Sequence, residues 1–515
     1  MARFYIENFG CRATQADGAA LERQFLDRGL ERAPAMRDAE IVVLNTCTVT
    51  AGADKDARAS IRRLQRENPG CRILVTGCYA QRAPQELAAL PGVTWVVGNS
   101  HKHQAAEIAT RPGFVSLAQL SQSPAPFLAP SSETRLAIDV TSPNIFISDI
   151  FAHTELVAAP VFDAANERTR PNLKVQDGCD NRCSFCVIPS VRGHSRSLPL
   201  SRAIGEVQAL VDSGYREVVI SGINLGRWGR DLESSGQWPV VSGQPSGVSG
   251  HASSAFESGP ARGRLRLADL VRAILEQTTL EKLRISSVEP MDWTDEMIEL
   301  MAKSPRIAKH AHVPLQSASD AVLRRMHRKY RPWHYREKIL KIRAAMPSAA
   351  IGADVMAGFP GETEAEFSET RQTIEELPFT YLHVFTYSAR PGTPAAAQSG
   401  QVPVAVARER NRILREMAAG KQAAFRQSLA GTVIDAITLQ NGASPCTSEY
   451  TEGLTDNYLK VRIRGALAAN QWVRVQVEGS QDGALTGRLC ESENRSVSGG
   501  CAFETEGGTL ASATP

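Results

Sequence analysis

Strand-length apolar runs recur along this chain with helix-length stretches between them, and this alternation is what most narrows the fold. Three such runs lie near the amino terminus, at residues 3–11, 40–47 and 72–78, with helical stretches at 15–28 and 55–67. Alternation of this kind builds parallel sheets with crossover helices, so all three strands point the same way. Ligands of such a sheet collect beyond the carboxyl ends of its strands. Cys11, Cys47 and Cys78 each close one run at that edge, whereas Cys71 opens its run at the opposite edge and is set aside. One free cysteine is ordinarily a small buried hydrophobe. Three in register at strand ends, each where strand gives way to loop, predict a shared iron-sulfur site that is one ligand short.

The alternation resumes beyond residue 172. Strands are expected at 173–176, 217–221, 282–287, 309–314, 350–356 and 381–387, and helices at 200–213, 265–277, 294–302, 333–345 and 364–377. Six parallel strands with helices between them predict a full or partial barrel, whose active site belongs at the carboxyl ends of its strands. The first of these strands runs into Cys179-Asp-Asn-Arg-Cys183-Ser-Phe-Cys186. Thiolates bind soft iron or zinc, and a closed structural site needs a fourth ligand. None lies in the run, and the nearest histidine, His194, follows Pro189 and Arg192-Gly193. The set therefore reads as an iron-sulfur cluster with one iron open. Other polar or flexible groups follow the strands: Gly222 and Asn224 the second, Ser287 and Glu289 the third, Gln316 the fourth, and the loop 358–361 the fifth. Isolated glycines and polar residues at such places also serve simply as turns and caps. A Gly-Lys-Ser/Thr phosphate loop is absent, which removes the fingerprint of an ATPase.

The last part reads differently. A long helix is expected at 405–427, followed by period-two alternation at 431–439, 458–464 and 472–478, the pattern of half-buried antiparallel strands. Lys460, Arg462 and Arg464 share one strand face with Tyr458 beside them, which suits RNA backbone contact and stacking, although a solvated strand face gives the same pattern. The domain limits that follow are 1–120, a linker at 121–168, 169–404 and 405–490. A Ser/Gly-rich insertion at 232–263 and the tail 491–515 are expected to be disordered. With 515 residues and 42% hydrophobic content the chain supports several cores, and a net charge of +3 means that any RNA surface must be local. No apolar run suggests a membrane span and the first residues lack a secretory pattern, so the expected compartment is the cytoplasm. Ten cysteines are too sparse for a disulfide scaffold. Cys446, Cys490 and Cys501 receive no role.

The Cys-x₃-Cys-x₂-Cys run resembles the hallmark of the radical S-adenosylmethionine (SAM) family, in which three thiolates hold a 4Fe-4S cluster and SAM chelates the open iron. The motifs 45–50 (Asn-Thr-Cys-Thr-Val-Thr), 176–179, 284–290, 314–317 and 357–362, with a three-cysteine domain before and a small β domain after, resemble the methylthiotransferases. Residues 45–50 and 221–226 look most like the branch acting on N6-threonylcarbamoyladenosine in tRNA. The resemblance implies two 4Fe-4S clusters. One, at Cys179, Cys183 and Cys186, would split SAM to generate a radical. The other, at Cys11, Cys47 and Cys78, would deliver sulfur, and a second SAM would supply the methyl group. It also implies SAM contacts among Gly222, Asn224, Ser287, Glu289 and Gln316, an RNA-binding TRAM-like barrel carrying Lys460, Arg462 and Arg464, a tRNA substrate, a flavodoxin- or ferredoxin-like electron donor, a sulfur donor, and a monomeric enzyme. Isopentenyladenosine in tRNA and a ribosomal protein aspartate are the alternative substrates within the family. A non-catalytic RNA-binding protein stabilised by metal is the alternative outside it.

Overall fold

The computed structural model describes residues 1–110, 144–153, 156, 170–234, 263–439 and 449–490. Most of the insertion 232–263, most of the linker 121–168, the tail 491–515, Cys446 and Cys501 lie outside these residues. The described chain forms two compact units, Met1–Phe425 and Arg426–Pro515. Among the described residues no helix is long and apolar enough to cross a membrane.

The first unit begins with six parallel strands: β1 (Arg3–Asn8), β2 (Glu31–Arg32), β3 (Ile41–Thr46), β4 (Arg72–Gly77), β5 (Val93–Gly98) and β6 (Asn144–Phe146), in the order β2-β1-β3-β4-β5-β6. Residues Ile41 to Thr46 are all buried, as expected of a central strand covered on both faces. Val42, Leu44, Ile73 and Val75 join one apolar cluster, while Ile41, Val43 and Leu74 join another, so alternate side chains feed the two helical layers. The three expected strands are β1, β3 and β4. Beyond them, β5 and β6 extend the sheet and β2 caps its other edge.

The barrel strands follow: β7 (Asn172–Asp177), β8 (Arg196–Ser197), β9 (Glu217–Gly222), a short β10 (Glu233–Ser234) and β11 (Gly263–Arg264) pair, β12 (Lys282–Ile285), β13 (His310–His312), β14 (Ala350–Ala357) and β15 (Tyr381–Thr386). They pair as β12-β9-β7-β8 and β13-β14-β15, and a parallel bridge from Leu283 to Ile307 joins the two groups. All six expected strands are present and parallel, with β8 added antiparallel to β7. Leu173, Val175, Val218, Ile220, Leu283, Ile285, Ala311, Ala353 and Val355 pack into one core under the surrounding helices. Period-two alternation turns Lys174, Gln176, Arg284, His310, His312, Asp354, Tyr381 and His383 to the opposite, inner face. The inside of this barrel is therefore polar.

In the second unit β16 (Val433–Thr438), β17 (Tyr450–Thr455), β18 (Lys460–Arg464), β19 (Trp472–Gln481) and β20 (Ala484–Leu489) close a barrel in the order β16-β17-β18-β20-β19. Closure removes the exposed sheet edges that five short strands would otherwise present. The sequence indicates three of these strands, and β17 and β20 complete the ring.

Candidate active site

Each upstream cysteine sits where a strand hands over to a helix. Cys11 is the residue before the helix α1 (Arg12–Leu26), Cys47 follows β3, and Cys78 opens a one-turn helix (Cys78–Arg82) directly after β4. The residues around Cys47 hold this junction together. Asn45 Nδ2 donates to Asn8 Oδ1 at 2.9 Å and to the Thr14 carbonyl at 2.7 Å, tying β3 to α1. Thr48 Oγ1 donates to Asp54 Oδ1 at 2.6 Å, and Thr50 caps the helix α2 (Ala51–Glu67) by accepting from the Ala53 N–H. Gly10 has φ +96°, and a Cβ there would lie 2.6 Å from Cys47 Cβ, so only glycine lets Cys11 and Cys47 approach.

The second set follows β7. Gly178, at φ +71°, passes so close to the chain at His194 that a Cβ would lie 1.9 Å from its carbonyl oxygen. Cys179 N–H donates to the Gly193 carbonyl and Cys186 N–H to that of Cys183, both at 3.1 Å, closing the loop. Donors point at the sulfurs: Asn181 N–H at 3.4 Å and Asn224 Nδ2 at 3.5 Å to Cys179, and Arg328 NH1 at 3.4 Å to Cys183. Arg328 is buried, lies over the Tyr330 ring at 4.9 Å from its centroid, and also donates to Glu289. Asn181, Cys183, Glu289, Arg328 and Tyr330 line one cleft.

Both sets fit a cluster. Burial and the neighbouring Cys183 push the Cys186 thiol up to about 12, and burial with Cys78 and Cys11 pushes Cys47 up to about 11. Thiols crowded together in this way ionise together only when metal takes the place of their protons. A single tetrahedral ion would draw its thiolates to within about 3.8 Å of one another. Among the described residues, neither cysteine set has all its sulfurs within 4.8 Å of one another.

The two sets are neighbours. Cys78 packs with Val187, which directly follows Cys186, and with Val191 one helical turn further on, and Asn99 Nδ2 donates both to Cys78 Sγ at 3.5 Å and to the Val191 carbonyl at 2.7 Å. Beside this contact lies a buried charge network. Asp17 of α1 pairs with Lys102 at 2.8 Å, with Arg192 at 2.9 Å and with Lys174 of β7, and Asp177 pairs with Lys174 at 2.8 Å and Arg192 at 2.9 Å. Arg196 also reaches Asp177, at 3.9 Å, so cations outnumber the two carboxylates, and Arg192 acts on Cys47, drawing its thiol down against the stronger effect of burial. A surplus cation next to three thiolates favours their charged, metal-binding form.

The expected SAM residues fall at the strand ends but do different things. Asn224 touches Cys179, and Glu289 reaches Cys183 through Arg328. Gly222 admits the Gln176 side chain, which would lie 2.8 Å from a Cβ there. Ser287 lies in the loop beyond β12, which ends at Ile285, and Gln316 holds φ +62° where it bridges to Val355. On β18 the expected alternation holds: Lys460 and Arg464 are exposed, Val461 and Ile463 buried. Arg462 is partly engaged, 3.3 Å from Asp482. Sequence reasoning missed Asn99, Arg192 and Arg328, and had Gln176 only as part of the 176–179 motif. The basic run 324–329 was the one available hint of Arg328.

Comparison with known proteins agrees with this geometry. Residues 3–98 match the family described as uncharacterized protein family UPF0004, and residues 173–374 match the radical SAM superfamily. Threonylcarbamoyladenosine tRNA methylthiotransferase MtaB of Bacillus subtilis is 35% identical over 90% of this chain and 91% of its own length. The MtaB of Aquifex aeolicus is 32% identical over 92% and 99%. The tRNA-2-methylthio-N(6)-dimethylallyladenosine synthase of Erythrobacter litoralis is 29% identical over 95% and 97%. Among solved structures, the radical S-adenosylmethionine methyltransferase TsrM of Kitasatospora setae shares the fold at a TM-score of 0.50 and 14% identity, covering 77% of this chain and 75% of that one. With a cysteine triad at the mouth of a parallel barrel, a second triad packed beside it, and relatives alike along nearly their whole length, the chain belongs to the radical SAM methylthiotransferases.

Proposed function

We propose that this enzyme methylthiolates C2 of N6-threonylcarbamoyladenosine next to the anticodon of tRNA. The observation that supports the two-cluster reading is the packing of Cys78 on Val187 and Val191, in the segment that follows Cys186, which brings the two cysteine sets near each other. Cys179, Cys183 and Cys186 would hold one 4Fe-4S cluster and Cys11, Cys47 and Cys78 the other; when bound, these groups with SAM supply the reducing electron, the hydrogen-abstracting radical and the sulfur. The chain's own side chains do the rest. Asn181, Asn224 and Arg328 donate hydrogen bonds to cysteine sulfur, which stabilises the reduced state of a bound cluster. Glu289 and Arg328 set opposite charges beside Cys183, a match for the ammonium and carboxylate of the SAM amino-acid end. Val187 and Val191 keep water from the space between the sets.

The substrate choice rests on the relatives' names. Lys460 and Arg464 of β18 would track the RNA backbone. A flavodoxin or ferredoxin would supply electrons, and a separate donor the sulfur. An enzyme acting on tRNA would work in the cytoplasm. Mass spectrometry of tRNA nucleosides from a deletion strain tests the reading. The 2-methylthio derivative of N6-threonylcarbamoyladenosine should vanish and its unthiolated precursor rise. Loss of only the 2-methylthio-isopentenyl nucleoside, or unchanged tRNA, would refute the substrate.

A further inference from the structure

Three neighbouring barrel strands each turn one metal-binding side chain to the inner face at nearly the same height. β13 contributes His312, β14 Asp354 and β15 His383, and Asp354 stands opposite His383 in the strand register. His312 Nε2 lies 3.3 Å from Asp354 Oδ1, and His383 Nδ1 lies 3.3 Å from the same oxygen. All the ligand atoms fall within 4.8 Å of one another, which among the described residues no other set of His, Cys, Asp or Glu achieves. Edges of 3.3 Å are what bonds of about 2.1 Å subtend at a roughly tetrahedral angle.

A plain ion pair accounts for the arrangement less well. The His312 side chain is only 9% exposed, and although both histidines draw the Asp354 carboxyl below its ordinary range, the 3.3 Å approach of His312 Nε2 lacks good hydrogen-bond geometry. A nitrogen aimed at an oxygen but misaligned for a shared proton suits a common third atom better. The rings are also held in place. Tyr381 stacks on His312 with centroids 6.0 Å apart and planes 20° from parallel, and its hydroxyl is 2.7 Å from His310 Nε2. Gly352 makes room for this tyrosine, since a Cβ there would lie 1.9 Å from Tyr381 Cζ. Outer groups that fix imidazole orientation are a usual accompaniment of metal-binding histidines.

We infer that His312, Asp354 and His383 form a binding site for a divalent first-row transition ion, separate from both cysteine sets. Two imidazoles and one carboxylate make a nitrogen and oxygen site suited to iron(II), manganese(II) or zinc, and three ligands leave further coordination positions free. His383 is 55% exposed, so those positions are reachable. The site stands whichever adenosine the enzyme modifies.

Manganese(II) is the probe. Full-length enzyme carrying both clusters in their oxidised, diamagnetic state is titrated with manganese, and the free-ion electron paramagnetic resonance signal is followed. Wild type should remove one equivalent from solution, and zinc should release it. Asp354→Asn keeps the size of the side chain, and His383→Gln alters an exposed one. Each should weaken manganese binding by at least tenfold, with cluster iron and sulfide unchanged. Uptake equal in wild type and both variants, or no uptake by wild type, would overturn the site.

Discussion

Asp17 is the residue on which most buried charge converges. Burial alone would raise its pKa, but Arg192, Lys102 and Lys174 outweigh that and hold the carboxyl below its ordinary range. Replacing it with Asn leaves Lys102 without its carboxylate and Lys174 and Arg192 sharing Asp177 alone, so chemical denaturation should show a loss of about 3–5 kcal/mol. The sign of the pH effect follows. A carboxyl whose pKa is depressed in the folded state adds stability above its unfolded pKa, and that stability is lost as pH falls through the folded value. The gap between wild type and Asp17→Asn should therefore stay constant from pH 8 to about 5 and narrow below about 4. A gap that widened on acidification would contradict the network. At this scale the cysteines were legible because strand ends and short spacing place them. Arg192 and Arg328 were not, because their partners are remote: Asp17 lies 175 positions from Arg192, and Cys183 lies 145 from Arg328.

At the scale of elements, the sequence pattern carried most of the first unit and failed where glycine interrupts a strand. β17 and β20 contain Gly453 and Gly487, which interrupt the apolar alternation. In the barrel they are close-approach positions: a Cβ at Gly487 would lie 2.5 Å from the Gln476 carbonyl oxygen, and one at Gly453 3.1 Å from Ile463 and Val461. β5, whose Val93, Trp95, Val96 and Val97 are buried, ends in glycine and lacks the closing cysteine that marks β3 and β4. Two predictions belong to this scale. Gly10→Ala forces a Cβ against Cys47 in a left-handed backbone, a strain of roughly 1–3 kcal/mol. Reconstituted protein should then hold about four irons per chain in place of about eight. Full iron content in that variant would show that the Cys11–Cys47 junction tolerates the intrusion. On β18, Lys460→Ala with Arg464→Ala should weaken tRNA binding and lower the slope of log affinity against log salt by about 1 for each charge removed. Arg462→Ala should change the slope less because Asp482 already engages Arg462. Equal slopes for all three changes would argue against β18 as the backbone-tracking strand.

For the whole molecule, the sequence supplied two cysteine sets and the order of folds, and it could not supply their adjacency. That depends on contacts no local pattern encodes: Asn99 spanning Cys78 and Val191, Asp17 gripping Lys174 and Arg192, and Arg390 donating to Thr48 and Asp54 across more than 300 positions. These contacts fix the amino-terminal sheet to the barrel and bring Cys78 beside the segment that follows Cys186; the proposal gives each set its own duty. Cleavage of SAM in the presence of reductant, measured for Cys47→Ala and Cys183→Ala beside methylthio transfer to tRNA, tests this division most directly. Cys47→Ala should still cleave SAM and transfer no sulfur, while Cys183→Ala should do neither. Equal loss of SAM cleavage in both variants would contradict the account.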